Sequence, residues 1–161
     1  MKTQRFGIEI EMTGITREQA GEVIADYFGT ESVYAGGSYR TYEAKDIKGR
    51  TWKAMYDSSI VAEKKAGGSR TSAGDEYKTE VVSPILTYDD IEDLQELVRQ
   101  LRHKGAVVNT TCGIHVHVGA ERFTPQTLRN IVNIIASKED ILYKALRIDP
   151  RRIRYCKKTN E

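Results

Sequence analysis

The sequence predicts an α+β fold, with helices packed on one face of an antiparallel sheet. Three observations predict it. Several segments alternate apolar and polar residues with period two, three others show helical spacing, and the element order reads β-α-β-β-β-β-α-β-α without repeats. The 161 residues most simply form a single domain, 1–161, long enough to bury a core.

The first element is "RFGIEIEMT". Phe6, Ile8, Ile10 and Met12 fall on one face, with Gly7, Glu9 and Glu11 on the other, which predicts a strand. In "TREQAGEVIADYF", Thr16 and Gln19 have capping-box spacing, and Ala20, Val23, Ile24, Tyr27 and Phe28 follow helical spacing. Residues 31–65 contain "SVYAGGSYRTYEA", "RTWKAMYD" and "SSIVAEK", expected as an antiparallel meander. "KKAGGSRTSAGDE" reads as a flexible polar loop, and "EYKTEVVSP" as a strand that Pro84 ends.

From Thr87 to Lys104, Ile91, Leu94, Leu97, Val98 and Leu101 keep helical spacing, with Gly105 placed to end the helix. "AVVNTTCGIHVHVG" returns to strand. A last helix opens at "FTPQTL", with Thr124 as cap, Pro125 at the first helical position and Phe123 set to staple against Leu128. It is expected to run towards Pro150, with a break near Ser137.

Bulk properties exclude several classes. Apolar residues at 39% and charged residues at 30% belong to a globular chain rather than a disordered one. A net charge of +2 gives no global field for nucleic acid. No apolar run approaches the roughly 20 residues that span a bilayer, and the N-terminus lacks the apolar segment of a secretory signal. Cys112 and Cys156 are too few for a disulfide framework. A reduced, cytoplasmic protein is the expectation. Arg147, Arg151, Arg152, Arg154, Lys157 and Lys158 crowd the C-terminus, either to meet phosphate or as a solvated basic tail.

The chemistry concentrates in two alternating segments. Glu9 and Glu11 stand at i and i+2, about 7 Å apart on one strand face. Two carboxylates at that distance repel by roughly 2 kcal/mol at an effective dielectric near 20. Exposed, they need no partner; enclosed, a cation must offset them or a pKa must rise. His115 and His117 in "CGIHVHVG" share a face in the same way, between Gly113 and Gly119. Neutral imidazole ligates divalent metals and donates to phosphate. Glu80 in "KTEVVSP" adds a carboxylate from a third strand. Three strands presenting Glu/Glu, Glu and His/His point to a metal site, and the oxygen-rich set favours magnesium or manganese over zinc. Neither cysteine has zinc-knuckle spacing.

"RFGIEIEMTG", "WKAMYDSSI", "EVVSPIL", "CGIHVHVG" and "RIRYCK" occur in this order from Arg5 to Lys158. The set resembles the amidoligase family, within the carboxylate–amine ligases that include glutamine synthetase and glutamate–cysteine ligase. The resemblance implies a glutamine synthetase-like curved antiparallel sheet whose concave face holds ATP and divalent cations. It implies an enzyme that phosphorylates a small-molecule or peptide carboxylate with ATP, after which an amine or ammonia attacks the acyl phosphate. By the same resemblance, Glu9 and His115 ligand a metal at the nucleotide phosphates, and Glu11 and Glu80 one nearer the substrate carboxylate. His117 contacts ATP phosphate, and Asp57 in "YDSSI" binds or deprotonates the amine. Arg70 in "GGSRTSAG" either closes over the phosphates or is a solvated loop arginine. Trp52 either walls the substrate pocket or sits in the core. Arg152, Arg154 and Tyr155 match a segment that approaches the active site in the family, or form part of a solvated tail.

The family's members are longer, and their C-terminal portion adds strands, a metal-binding glutamate and phosphate-binding arginines. The chain is therefore expected to be a fragment, a compact variant, or half of a site completed by a homo-oligomer or another partner. Two other functions fit the same residues: a non-catalytic module that binds nucleotide or metal, and a metal-dependent hydrolase.

Overall fold

The computed structural model describes residues 2–159. The chain forms two compact units, residues 1–118 and 119–161. In the first, β1 (Phe6–Met12) leads into α1 (Arg17–Phe28), then β2 (Ser32–Gly36), β3 (Thr41–Lys45) and β4 (Thr51–Tyr56). The hairpin β5 (Glu63–Ala66) and β6 (Ser69–Ser72) follows, then β7 (Thr79–Val82), α2 (Ile91–Lys104) and β8 (Ile114–Val118). Six strands form one antiparallel sheet in the order β2-β3-β4-β7-β1-β8. The architecture is α+β, as the alternation and helical spacing predict.

Period-two burial divides the sheet into two faces. Met12 of β1, Ala44 of β3, Trp52 and Ala54 of β4 and Val81 of β7 project towards α1 and α2. There they meet Val23 and Ile24 of α1 and Leu97 and Leu101 of α2, with Phe6, Ile8 and Ile10 packed alongside. Trp52 is 1% exposed, so it belongs to the core and not to a pocket wall on the other face. Removing such a ring costs about 3–5 kcal/mol in transfer and cavity terms.

The start of α1 is held by local chemistry. Thr16 accepts from the Gln19 amide while the Gln19 side chain accepts from the Thr16 amide, so both halves of the capping box form. α1 crosses β2 and β3 so closely that a Cβ on Gly21 would lie 2.5 Å from Ser32 Oγ. Gly14 turns the chain from β1 into α1 with φ +86°, and a Cβ there would meet the Gly105 carbonyl at 2.5 Å.

Three local expectations change in this unit. "KKAGGSRTSAG" is not a loop but the β5–β6 hairpin, because Gly67 and Gly68 at φ +58° and +85° make the turn that joins two strands. The meander ends at β4: residues 58–62 carry no strand, and β5 pairs only with β6. The strand expected across "AVVNTTCGIHVHVG" narrows to Ile114–Val118. Upstream, the Asn109 side chain accepts from the Thr111 amide and donates to the Val61 carbonyl, which diverts the backbone into a turn.

The second unit contains α3 (Pro125–Ala145), capped by Thr124 with Pro125 in its first turn. The helix does not break at Ser137, whose hydroxyl donates to the Ile134 carbonyl within the helix. The following turns fold back onto it: Tyr143 bonds the Cys156 carbonyl, and Lys158 pairs with Asp140 at 2.7 Å.

One polar cluster locks the β3–β4 turn to the start of α2. Asp46 accepts the Lys48 and Arg50 amides, both at 2.9 Å, and the Arg50 Nε at 2.7 Å. Arg50 also grips Asp90 with both terminal nitrogens, at 3.0 and 2.9 Å, and Lys48 Nζ joins at 2.6 Å. Asp90 completes a capping box with Thr87. Asp46 and Asp90 are 3% and 1% exposed, and the Arg50 guanidinium holds the Asp90 carboxyl well below the usual carboxylate range.

Candidate active site

The face opposite the helices carries the chemistry. Glu9 and Glu11 project there because Ile8, Ile10 and Met12 project into the core. β8 pairs with β1 on one side, setting Glu9 opposite His115 and Gly7 opposite His117. β7 pairs on the other side, setting Glu11 opposite Glu80. β4 then places Met55 opposite Glu80, so Asp57, two residues on, reaches the same region.

The histidines reach diagonally to the glutamates. His115 Nε2 lies 3.0 Å from Glu11 Oε1, and His117 Nε2 lies 3.1 Å from Glu9 Oε1. The second oxygen of Glu11 accepts the Gly113 amide at 2.7 Å. Glu11 is thus enclosed, at 4% exposure, yet partnered on both oxygens. Asp57 is oriented by its own turn, accepting the Ser59 amide at 2.7 Å.

Glu80 is different. One oxygen from each of Glu11, Asp57 and Glu80 lies within 4.8 Å of the others. Among the described residues Glu80 forms no ion pair. Burial raises its carboxyl to about 7, and the negative charges of Glu9, Asp57 and Glu11 add to the rise against a small opposing pull from His115.

An all-oxygen group of convergent carboxylates, one of them without a basic partner among the described residues, matches the donor set of a hard divalent ion. Glu11, Glu80 and Asp57 would hold it, with Glu9, His115 and His117 beside them on the half-open side. A bound ion would neutralise negative charge on substrate oxygens.

The structure therefore brings together Glu9, Glu11, Glu80, His115, His117 and Asp57. It places Arg70 elsewhere: Arg70 donates to the Val108 carbonyl at 3.0 Å and borders a cleft with Ile10 and Met12, on the other side of β1. Arg152 and Arg154 belong to the second unit, where both guanidinium groups pack on the Tyr155 ring. The sequence reading missed Lys53 and Glu43. These share the open face through the pairings Lys53–Val82 and Glu43–Lys53, and form an ion pair at 3.5 Å. The alternation of "TWKAMYD" carries the signal, since Lys53, Met55 and Asp57 fall on one side once Trp52 is assigned to the core.

A sheet covered by helices on one side, with clustered carboxylates and imidazoles on the other, defines an α+β protein with an acidic, histidine-flanked site. The sequence matches the family described as "Putative amidoligase enzyme" over residues 2–161. The chain belongs to this amidoligase family, whose activity in general terms is amide-bond ligation. No curated protein matches it. Among the described residues, no helix is long and apolar enough to cross a membrane.

Proposed function

We propose that this chain is an ATP- and magnesium-dependent ligase that joins a carboxylate to an amine through an acyl phosphate, on a glutamine synthetase-like sheet in the cytoplasm. The observation that carries the reading is the convergence of Glu11, Asp57 and Glu80 within 4.8 Å, beside His115 and His117. Phosphoryl transfer needs positioning and charge neutralisation more than covalent chemistry from the protein, and groups fixed on a sheet supply position.

The roles are those that the resemblance to the amidoligases implies. Glu11 and Glu80, facing each other across β1 and β7, would hold a divalent ion, which would neutralise charge on substrate oxygens. Glu9 and His115 would hold a second ion, and His117, the more exposed imidazole, would donate to a phosphate oxygen. A substrate carboxylate oxygen attacks the γ-phosphorus and ADP leaves. The amine nitrogen then attacks the acyl carbon, phosphate departs, and the surplus amine proton would pass to Asp57, one oxygen of which lies within 4.8 Å of oxygens of Glu11 and Glu80. Lys53 and Glu43 offer opposite charges on the same face to a zwitterionic substrate.

The test is incubation of the full chain with ATP, magnesium and mixtures of amino acids and peptides. Amide product with stoichiometric ADP is expected. Folded protein that binds Mn²⁺ but releases no ADP with any mixture would sink the ligase reading.

A second reading, a half-site completed by another polypeptide, rests on the sheet edge. β8 carries both histidines yet is exposed throughout, with Ile114, Val116 and Val118 at 67%, 61% and 52%. Turnover by the isolated monomer would dismiss it.

A further inference from the structure

A cleft of about 650 Å³ lies in the first unit, lined by Ile10 and Met12 from the core-facing side of β1. It is therefore separate from the acidic site, which uses the opposite face of the same strand. Its floor is apolar: Met12, Leu101 and Ala106 are buried, and Val98 and Val107 continue the surface. Its rim is basic. Lys65 and Arg70 border it from the β5–β6 hairpin, and Arg99, Arg102 and His103 from α2.

Two features make this rim more than a solvated surface. Lys65 and Arg70 are direct cross-strand partners, an arrangement in which like charges oppose pairing. Arg70 is partly offset by Glu63 at 3.6 Å, and Arg99 by Glu96 at 3.0 Å. Neither Lys65 nor Arg102 forms an ion pair among the described residues. Two walls thus present uncompensated positive charge across an apolar floor.

We propose that this cleft binds a small amphiphilic anion, with an apolar body on Met12, Leu101 and Val107 and a carboxylate or phosphate head between Lys65 and Arg102. The volume falls within the roughly 300–1,000 Å³ of small-molecule sites, which selects a compact ligand over a protein segment. An Arg facing an anionic head supplies paired donors, and a Lys supplies a point charge. The inference does not rest on the ligase reading, because it uses other residues on another face.

The experiment titrates the full chain with decanoate and with decyl phosphate, following amide shifts by NMR and heat by calorimetry. n-Decanol, decylamine, acetate and inorganic phosphate serve as controls. Saturable binding of a decyl anion about tenfold tighter than decanol is expected, with no binding of decylamine and shifts at Val98, Leu101 and Val107. The better of the two decyl anions identifies the head group. Arg102→Glu and Lys65→Glu should each weaken binding about tenfold while leaving Mn²⁺ binding at the acidic site intact. Glu80→Gln should do the reverse. Equal affinity for decanol, binding by head groups alone, no binding of either decyl anion, or wild-type affinity in the folded charge-reversal variants would each overturn the proposal.

Discussion

Two clusters of carboxylates meet opposite fates in this molecule. At the β3–β4 turn, Asp46 and Asp90 are enclosed with Arg50 and Lys48, and the Asp90 carboxyl is held far down. On the open face of the sheet, Glu11, Asp57 and Glu80 converge without a basic side chain between them, and the Glu80 carboxyl is pushed up to about 7. Burial acts in the same direction on both acids. The difference is the partner: guanidinium and amide donors satisfy the first cluster, whereas the second is left with imidazoles on one flank. A closed ion network stabilises the fold. An acid cluster without a basic side chain among the described residues costs stability and is suited to receiving a cation.

Breaking the first cluster should have the larger effect. Arg50→Ala leaves Asp46 and Asp90 buried without their shared counter-charge, and should cost about 3–5 kcal/mol in urea unfolding at pH 7. Arg50→Lys should recover only part, since Lys cannot grip Asp90 with two nitrogens. A loss below 1 kcal/mol in Arg50→Ala would mean that the network is not a lock.

The second cluster is tested by metal. Glu11→Gln removes one charge from the proposed ligands while keeping the Gly113 contact possible, and should weaken Mn²⁺ binding about 10–100-fold. Electron paramagnetic resonance titration of free Mn²⁺ reads this directly, and unchanged affinity would remove Glu11 from the site.

Acid separates the two clusters by sign. Asp90 has a lower pKa folded than its ordinary 3.8, so its contribution is complete above about pH 4 and is lost as pH falls through the folded value. Stability should therefore drop on acidification towards pH 2, and an Asp90→Asn protein, already weakened, should show a flatter acid limb.

Glu80 runs the other way and gives the smallest effect. Its folded pKa of about 7 exceeds the ordinary 4.5, so ionisation opposes folding increasingly as pH rises between those values. Without metal, Glu80→Gln should stabilise by about 1 kcal/mol at pH 8, allowing for solvent screening of this half-buried group, and by nothing near pH 4. With millimolar Mn²⁺ the order should invert, the wild type gaining stability and the variant gaining little. Differential scanning fluorimetry at both pH values measures all four arms.

Much of the site could be read from the chain before folding was considered. Period two put Glu9 with Glu11 and His115 with His117, and the Thr16–Gln19 spacing announced the first helix. These are short-range properties, set by the pleat of a strand and by orphan amides at a helix end. The hairpin β5–β6 was legible in principle from Gly67-Gly68, but its polar strands lack the alternation that marks a buried face. The Asp46–Arg50–Asp90 lock joins residues 40 positions apart, and no local pattern announces it.

What the order of amino acids settled was therefore the character of each piece: which residues share a face, where helices begin, and that acids and imidazoles project from strands. What folding alone settled was adjacency. β7 enters the sheet between β4 and β1, not beside its chain neighbours, and only that insertion sets Glu80 against Glu11 and brings in Asp57. Strand order depends on long-range pairing and on which face α1 and α2 cover. These are cooperative properties of the whole sheet, and short-range rules do not reach them.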